Sequence, residues 1–219
     1  MNNYLENLNE EQKLPVLHKD GPLIVIAGAG SGKTRVLTYR IIHLINEGVD
    51  PFNILALTFT NKAALEMKNR ISLITSESVS RNIWMGTFHS IFARILRSEA
   101  PLIGYPTNFT IYDTYDSEKL ISNIIKEKKL DKDTYKAKSI KNRISSLKNN
   151  FITVENYFNN SELIEVDKAA KRELFGEIYQ EYVRRCFKAS VMDFDDLLLK
   201  TNELLNKSPE TLLLSLIHI

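Results

Sequence analysis

The sequence predicts an α/β fold: a parallel sheet with helices on both faces, into which an all-helical subdomain is inserted. Three observations lead there. Short apolar runs alternate with helical patterns over about the first hundred residues; a glycine loop joins the first run to the first long helix; and beyond Tyr105 the apolar residues fall at helical spacing in polar surroundings.

The elements follow in order. Leu23–Ala27 is a short apolar strand, and Arg35–Asn46 a helix with Leu37, Ile41, Leu44 and Ile45 on one face and Gly48 as its stop. Ile54–Thr58 is the next strand, Lys62–Leu73 a helix with Ala64, Met67 and Ile71 in register, and Ile83–Gly86 a third strand. A helix from Ser90 to Glu99 halts at Pro101. Repeated strand–helix units imply a parallel sheet covered on both faces. After Phe109–Tyr112 the pattern predicts one helix around Leu120–Ile125, another around Ile140–Leu147 and a third through Leu174–Tyr182, with an Asn-rich loop over Asn149–Ser161. A last helix, Asp193–Leu205, directs Phe194, Leu197, Leu198, Thr201 and Leu204 inward.

Composition bounds the function. The 219 residues carry 43% hydrophobic and 26% charged residues and a net charge of +2, ordinary for a globular protein, so overall charge selects no partner. Its distribution says more: from Lys119 to Lys148 there are ten lysines and arginines against three acids. The plain alternative is a solvated helix face. Cys186 is the single cysteine, which excludes an internal disulfide framework and suits a reducing compartment. With neither a signal-peptide pattern nor an apolar run long enough to span a bilayer, the sequence predicts a cytoplasmic protein with no membrane partner. No spacing suggests a metal cage or a Ser/His/Asp nucleophile.

The motif that carries chemistry is Ala27–Thr34, AGAGSGKT. Strand, glycine loop, helix is the context of a phosphate-binding loop. Gly28, Gly30 and Gly32 let the backbone curl with its N–H groups inward, while Ala27, Ala29 and Ser31 complete the loop. The following helix adds the positive end of its dipole. Lys33 reaches β- and γ-phosphates and the Thr34 hydroxyl binds Mg²⁺, so the loop by itself implies a nucleotide with Mg²⁺. Ala27 departs from the strict pattern, which has glycine there, but only by a methyl outside the GSGKT core.

Ligands of open α/β sheets gather beyond the carboxyl ends of the strands. Phe59, Thr60, Asn61 and Lys62 follow the second strand, and Thr87, Phe88 and His89 follow the third. Rings beside hydroxyls, an amide and an ammonium suit single-stranded nucleic acid. The plain alternatives are core positions for the two phenylalanines and a helix-start backbone contact for His89.

TFTNKAALEM (Thr58–Met67) and GTFHS (Gly86–Ser90), behind GAGSGKT and the upstream LNEEQ (Leu8–Gln12), resemble the UvrD/PcrA/Rep family of superfamily-one DNA helicases. FTIYD (Phe109–Asp113), KNRISSLKN (Lys141–Asn149) and MDFDDLL (Met192–Leu198) extend the likeness from Leu8 to about Leu213. The resemblance implies an ATP-driven 3′-to-5′ translocase on single-stranded DNA that separates duplexes in repair or replication restart, with repair or replication proteins as further partners. It implies that Gln12 reads the adenine, that Arg35 lies near the nucleotide, and that Phe59, Thr60, Asn61, Thr87 and His89 line the strand's track. It also implies a RecA-like domain over 1–105, an inserted helical subdomain over 106–190 that meets single-strand/duplex junctions, and a helix over 191–213 returning to the RecA-like domain.

The family's Asp-Glu pair for Mg²⁺ and water is expected beyond residue 219, along with a second motor domain. Asp193, Asp195 and Asp196 are rejected for that role because their surroundings are helical and polar. The expectation is therefore the first third of a helicase, inactive alone. The ending LSLIHI (214–219) reads as the translation of a transposase adapter rather than native chain; a genuine strand is the alternative. Rival functions are a helicase–nuclease subunit, a non-catalytic nucleotide- and DNA-binding module, and a small-molecule kinase that leaves TFTNKAALEM unexplained.

Overall fold

The computed structural model describes residues 4–19 and 21–210, so the ending LSLIHI lies outside the described residues. The chain divides after Ile91 into two compact units.

The first unit opens with a 3₁₀ turn, Tyr4–Asn7, and helix α1, Glu10–Leu17. Helix α2, Lys33–Asn46, precedes strand β1, Leu55–Thr58; α3, Asn61–Ile74, and α4, Glu77–Asn82, lead to β2, Trp84–Thr87. The starts are written in side chains: Asn9, Thr60 and Ser76 each accept an amide of the first turn of α1, α3 and α4. Strands β1 and β2 are parallel, with Leu55 opposite Trp84 and Thr58 opposite Thr87. Ile41 and Ile42 of α2, Ala56 of β1, Met67 and Ile71 of α3, and Ile54 and Ile83 form the core, as the 3.6-residue spacing requires.

The expected strand Leu23–Ala27 is not formed. Residues 22–28 carry no strand assignment, and Ile24 and Ile26 are 85% and 95% exposed. A strand needs a neighbour for its amides, and among the described residues β1 and β2 pair only with each other. The apolar run is therefore legible as a strand while its ladder is missing.

Helix α5, Phe88–Glu99, runs into the second unit, which holds β3, Thr110–Tyr112; α6, Thr114–Glu127; α7, Ala137–Asn149; α8, Val154–Phe158; α9, Ser161–Ala169; α10, Phe175–Lys188; β4, Val191–Asp193; and α11, Phe194–Lys207. Strands β3 and β4 are parallel, Tyr112 opposite Asp193. The main core joins Ile121, Ile124 and Ile125, Ile140 and Ile144, and Phe175, Ile178, Tyr179 and Tyr182. Cys186 lies in it, 2% exposed, and burial pushes its thiol up to about 12, which marks a structural cysteine.

Two expectations for this unit need correction. The Asn-rich stretch contains helix α8, because the Thr153 hydroxyl caps it by accepting from Asn156 N at 3.2 Å. Phe194 is 54% exposed rather than inward: it is the first residue of α11, while Leu197, Thr201 and Leu204, at helical spacing after it, are the buried ones.

Candidate nucleotide and nucleic-acid site

The glycine loop curls as its sequence requires. Gly30 and Gly32 have φ of +78° and +91°, left-handed values that a side chain disfavours. The Ser31 hydroxyl donates to Gly28 O at 2.7 Å and closes the turn. Helix α2 begins at Lys33 with Gly32 as its N-cap, and no side chain caps its first amides. Such an end attracts anions. Lys33 Nζ donates to the carbonyls of Ala27 and Gly28, both at 2.7 Å, so its charge rests on the loop itself. Lys33, Thr34 and Arg35 are all exposed. Left-handed glycines, an uncapped helix start and an ammonium at the loop's own carbonyls fit a phosphate group, and the exposed Thr34 hydroxyl fits a hard cation.

Val16 of helix α1, with Leu8 just before the helix, packs on Val36 of α2. Arg40 donates to Pro15 O at 2.8 Å and also to His18 O. Gln12 sits beside the loop: its Nε2 donates to Ser31 O at 3.2 Å, and a Cβ at Gly32 would lie 2.8 Å from that nitrogen. Arg35 Nη2 donates to Asn7 O at 2.6 Å, and its guanidinium lies 5.7 Å from the Tyr39 ring centroid. Arg35 and Tyr39 line a cavity of about 340 Å³ with Arg70, Leu73 and Ile74. Sequence reasoning named neither Tyr39, four residues after Arg35 on one helix face, nor Arg70, whose guanidinium also pairs with Glu66.

The strand register places Phe59 and Phe88 side by side just past the ends of β1 and β2. Phe59 is 92% exposed and Phe88 36%; their ring centroids are 5.8 Å apart at 45°. A large ring left almost wholly in water is not a core residue. Thr60 spends its hydroxyl as the N-cap of α3, accepting from Ala63 N at 3.1 Å. Thr87 Oγ1 accepts from Ser90 N at 3.3 Å and donates to Ser90 Oγ at 3.1 Å. Asn61 and Lys62 are exposed at the start of α3, and His89 is half-buried in the first turn of α5.

The aspartates of MDFDDLL serve the fold. Asp193 and Asp196 form a reciprocal cap at the start of α11, and both take an ion pair at 2.8 Å from Lys148, which is 1% exposed. The Tyr182 hydroxyl donates to Asp193 at 2.8 Å. Burial opposes the charge on Asp193, but Lys148 and the hydrogen bonds outweigh it and hold this carboxyl below its usual range. At Asp196 burial prevails and raises it. Burial also works against the Lys148 charge, and the two carboxylates overcome it, so its pKa stands above the usual lysine range. Among the described residues, no group of three or more His, Cys, Asp or Glu could hold a metal ion.

These features define an α/β protein with a glycine loop of the phosphate-binding kind at a helix start. Residues 8–215 match the family model of the UvrD/REP helicase N-terminal domain, and the chain belongs to that family. It is 42% identical over 216 residues to the ATP-dependent DNA helicase PcrA of Staphylococcus epidermidis, covering 97% of this chain and 28% of that protein. It is 43% identical over 212 residues to the PcrA of Bacillus subtilis, covering 96% and 28%. It is 41% identical over 206 residues to that of Leuconostoc citreum, covering 94% and 27%. The chain thus spans a little over a quarter of the length of these relatives. No helix among the described residues is long and apolar enough to cross a membrane.

Proposed function

We propose that this chain supplies the nucleotide loop and part of the single-strand track of an ATP-dependent DNA helicase, a 3′-to-5′ translocase acting in repair or replication restart. The observation that carries the reading is one unit holding both a curled glycine loop at an uncapped helix start and an aromatic pair laid open at the ends of two parallel strands. In this reading Lys33 leaves the carbonyls of Ala27 and Gly28 for the β- and γ-phosphates, and Thr34 holds Mg²⁺. Gln12 reads the adenine from beside the loop, and the cavity lined by Arg35, Tyr39 and Arg70 offers the base planar guanidinium and phenol faces. The bound metal supplies charge neutralisation on the phosphates. Phe59 and Phe88 stack on bases while Asn61, Lys62 and His89 hold the backbone, and Thr60 and Thr87 present the helix starts they cap. The helical unit, with its run of exposed lysines, meets the junction with duplex.

Binding of a fluorescent ATP analogue and of a labelled oligo-dT strand to the 219-residue chain tests this. Lys33→Ala is expected to abolish the first and spare the second, and Phe59→Ala to weaken the second only. Oligo-dT binding that survives loss of both Phe59 and Phe88 would remove the track from the proposal.

A further inference from the structure

We propose that Gln12 braces the phosphate loop and that Asn9 is a positioning residue that sets Gln12 for this task, so that the cradle is shaped before any base is read. The inference rests on the nucleotide reading above and goes beyond it, because that reading uses Gln12 only as a contact to adenine. Both ends of the Gln12 amide are already committed. Its Oε1 accepts from the backbone N–H of Asn9 at 3.3 Å, and its Nε2 donates to Ser31 O at 3.2 Å. Asn9 Oδ1 in turn accepts from Gln12 N at 2.8 Å, which completes a reciprocal cap at the start of α1. That cap fixes the position of residue 12, and the amide then has one direction left, toward the loop.

The loop is built to receive it. Gly32 leaves no room for a side chain beside the brace, since a Cβ there would lie 2.8 Å from Gln12 Nε2. The segment cannot drift away, because Arg35 holds Asn7 O on one side of the box and Arg40 holds Pro15 O on the other. Residues 7–15 thus lie against the loop as a splint anchored to α2 at both ends. One oxygen lone pair and one N–H of the Gln12 amide stay open for a purine edge, so bracing and base reading draw on different halves of the same two atoms. Bracing is the resident state, and it acts on the phosphates, which every nucleotide shares.

Inorganic tripolyphosphate with Mg²⁺, which has no base, separates the roles. Gln12→Ala and Asn9→Ala are expected to weaken tripolyphosphate, ATP and GTP alike by about three- to tenfold, the worth of one hydrogen bond. Asn9→Ser, which keeps a cap, is expected to restore binding, and Glu11→Ala on the same helix to leave it unchanged. If Gln12→Ala lowers ATP affinity while tripolyphosphate is unmoved, the brace is wrong and Gln12 only reads the base. A wild-type chain that binds none of the three overturns the nucleotide reading instead. Hydrogen exchange of amides 29–34 without ligand then decides the brace separately: faster exchange in Asn9→Ala and Gln12→Ala, but not in Asn9→Ser, supports it, and unchanged exchange refutes it.

Discussion

Replacing Lys148 with methionine is the sharpest test of how the second unit is held together. Lys148 arrives from the end of α7, is 1% exposed, and meets Asp193 and Asp196 at 2.8 Å each. Methionine fills most of the volume and removes the charge, leaving two carboxylates, each 4% exposed, without a cation. Breaking a buried pair from one side costs about 3–5 kcal/mol, because the remaining charge keeps its desolvation penalty. With a urea slope of about 2 kcal/mol/M, the midpoint is expected to fall by about 1.5–2.5 M. Circular dichroism at 222 nm reads the loss, since α6, α7, α10 and α11 carry much of the helix.

The sign of the pH dependence is fixed as well. In the variant, burial without Lys148 lifts both folded carboxyl pKa values above their unfolded values. The folded state then binds more protons than the unfolded one, so stability rises as pH falls from 7 toward 5. In the wild type Asp193 is held below its usual range. Its contribution persists down to about pH 4 and is lost as pH falls through the depressed value, while Asp196, raised by burial, acts in the opposite sense. A further variant carrying Asp193→Asn and Asp196→Asn, which keeps the cap geometry, is expected to recover most of the loss. A midpoint shift under about 0.3 M in Lys148→Met, or a variant that loses stability as pH falls from about 7 to 5, would refute the account.

Gly32→Ala combines a left-handed φ with a Cβ 2.8 Å from Gln12 Nε2, and is expected to lower tripolyphosphate affinity at least tenfold while moving the melting midpoint little. Gly176→Ala would place a Cβ 2.8 Å from Tyr157 and 2.9 Å from Phe158; the clash is expected to cost about 1–3 kcal/mol despite alanine's better helix propensity, read by urea denaturation. Phe59→Ala is expected to cost about 1–3 kcal/mol of oligo-dT affinity by fluorescence anisotropy. Thr153→Ala removes the cap of α8 and is expected to cost about 0.5–2 kcal/mol in the same denaturation assay.

The elements legible in the sequence are those whose burial is set by near neighbours. Helix α10 could be read because Ile178 and Tyr182 recur at helical spacing after Leu174; both are buried, with Phe175, Tyr179 and Cys186, while Leu174 is the N-cap. Strands β1 and β2 were visible as short apolar runs ending in the segments that present Phe59 and Phe88. Long-range pairing was not legible. The run at Leu23–Ala27 has a strand's composition, yet composition cannot say that no described strand will lie beside it. Helix α8 was hidden because asparagines signal loops, while one hydroxyl at Thr153 suffices to start a turn. The Gln12 brace was half legible: LNEEQ has the spacing of a reciprocal cap, but its contact with Ser31 spans nineteen residues.

The basic run from Lys119 to Lys148 shows the same limit and refines what a charge count means. Three of its ten cations are spent inside the unit: Lys148 on Asp193 and Asp196, Arg143 on Asp167, and Lys128 on Glu177. Its one glutamate, Glu127, is in turn engaged by Arg185 from outside the run. What remains outward is therefore concentrated: Lys126, Lys129, Lys132, Lys136 and Lys138 are exposed from the end of α6 to the start of α7, with no ion pair among the described residues. The same short connection carries Asp131 and Asp133, both exposed, so five lysines stand there against two acids. If that connection touches phosphates, each lysine engaged adds about 0.9 to the slope of log affinity against log salt on duplex DNA. Replacing Lys129, Lys132 and Lys136 by glutamine is then expected to flatten the slope for a junction substrate by about two to three while leaving oligo-dT binding at the phenylalanine pair intact. An unchanged slope would return these lysines to the role of a solvated face.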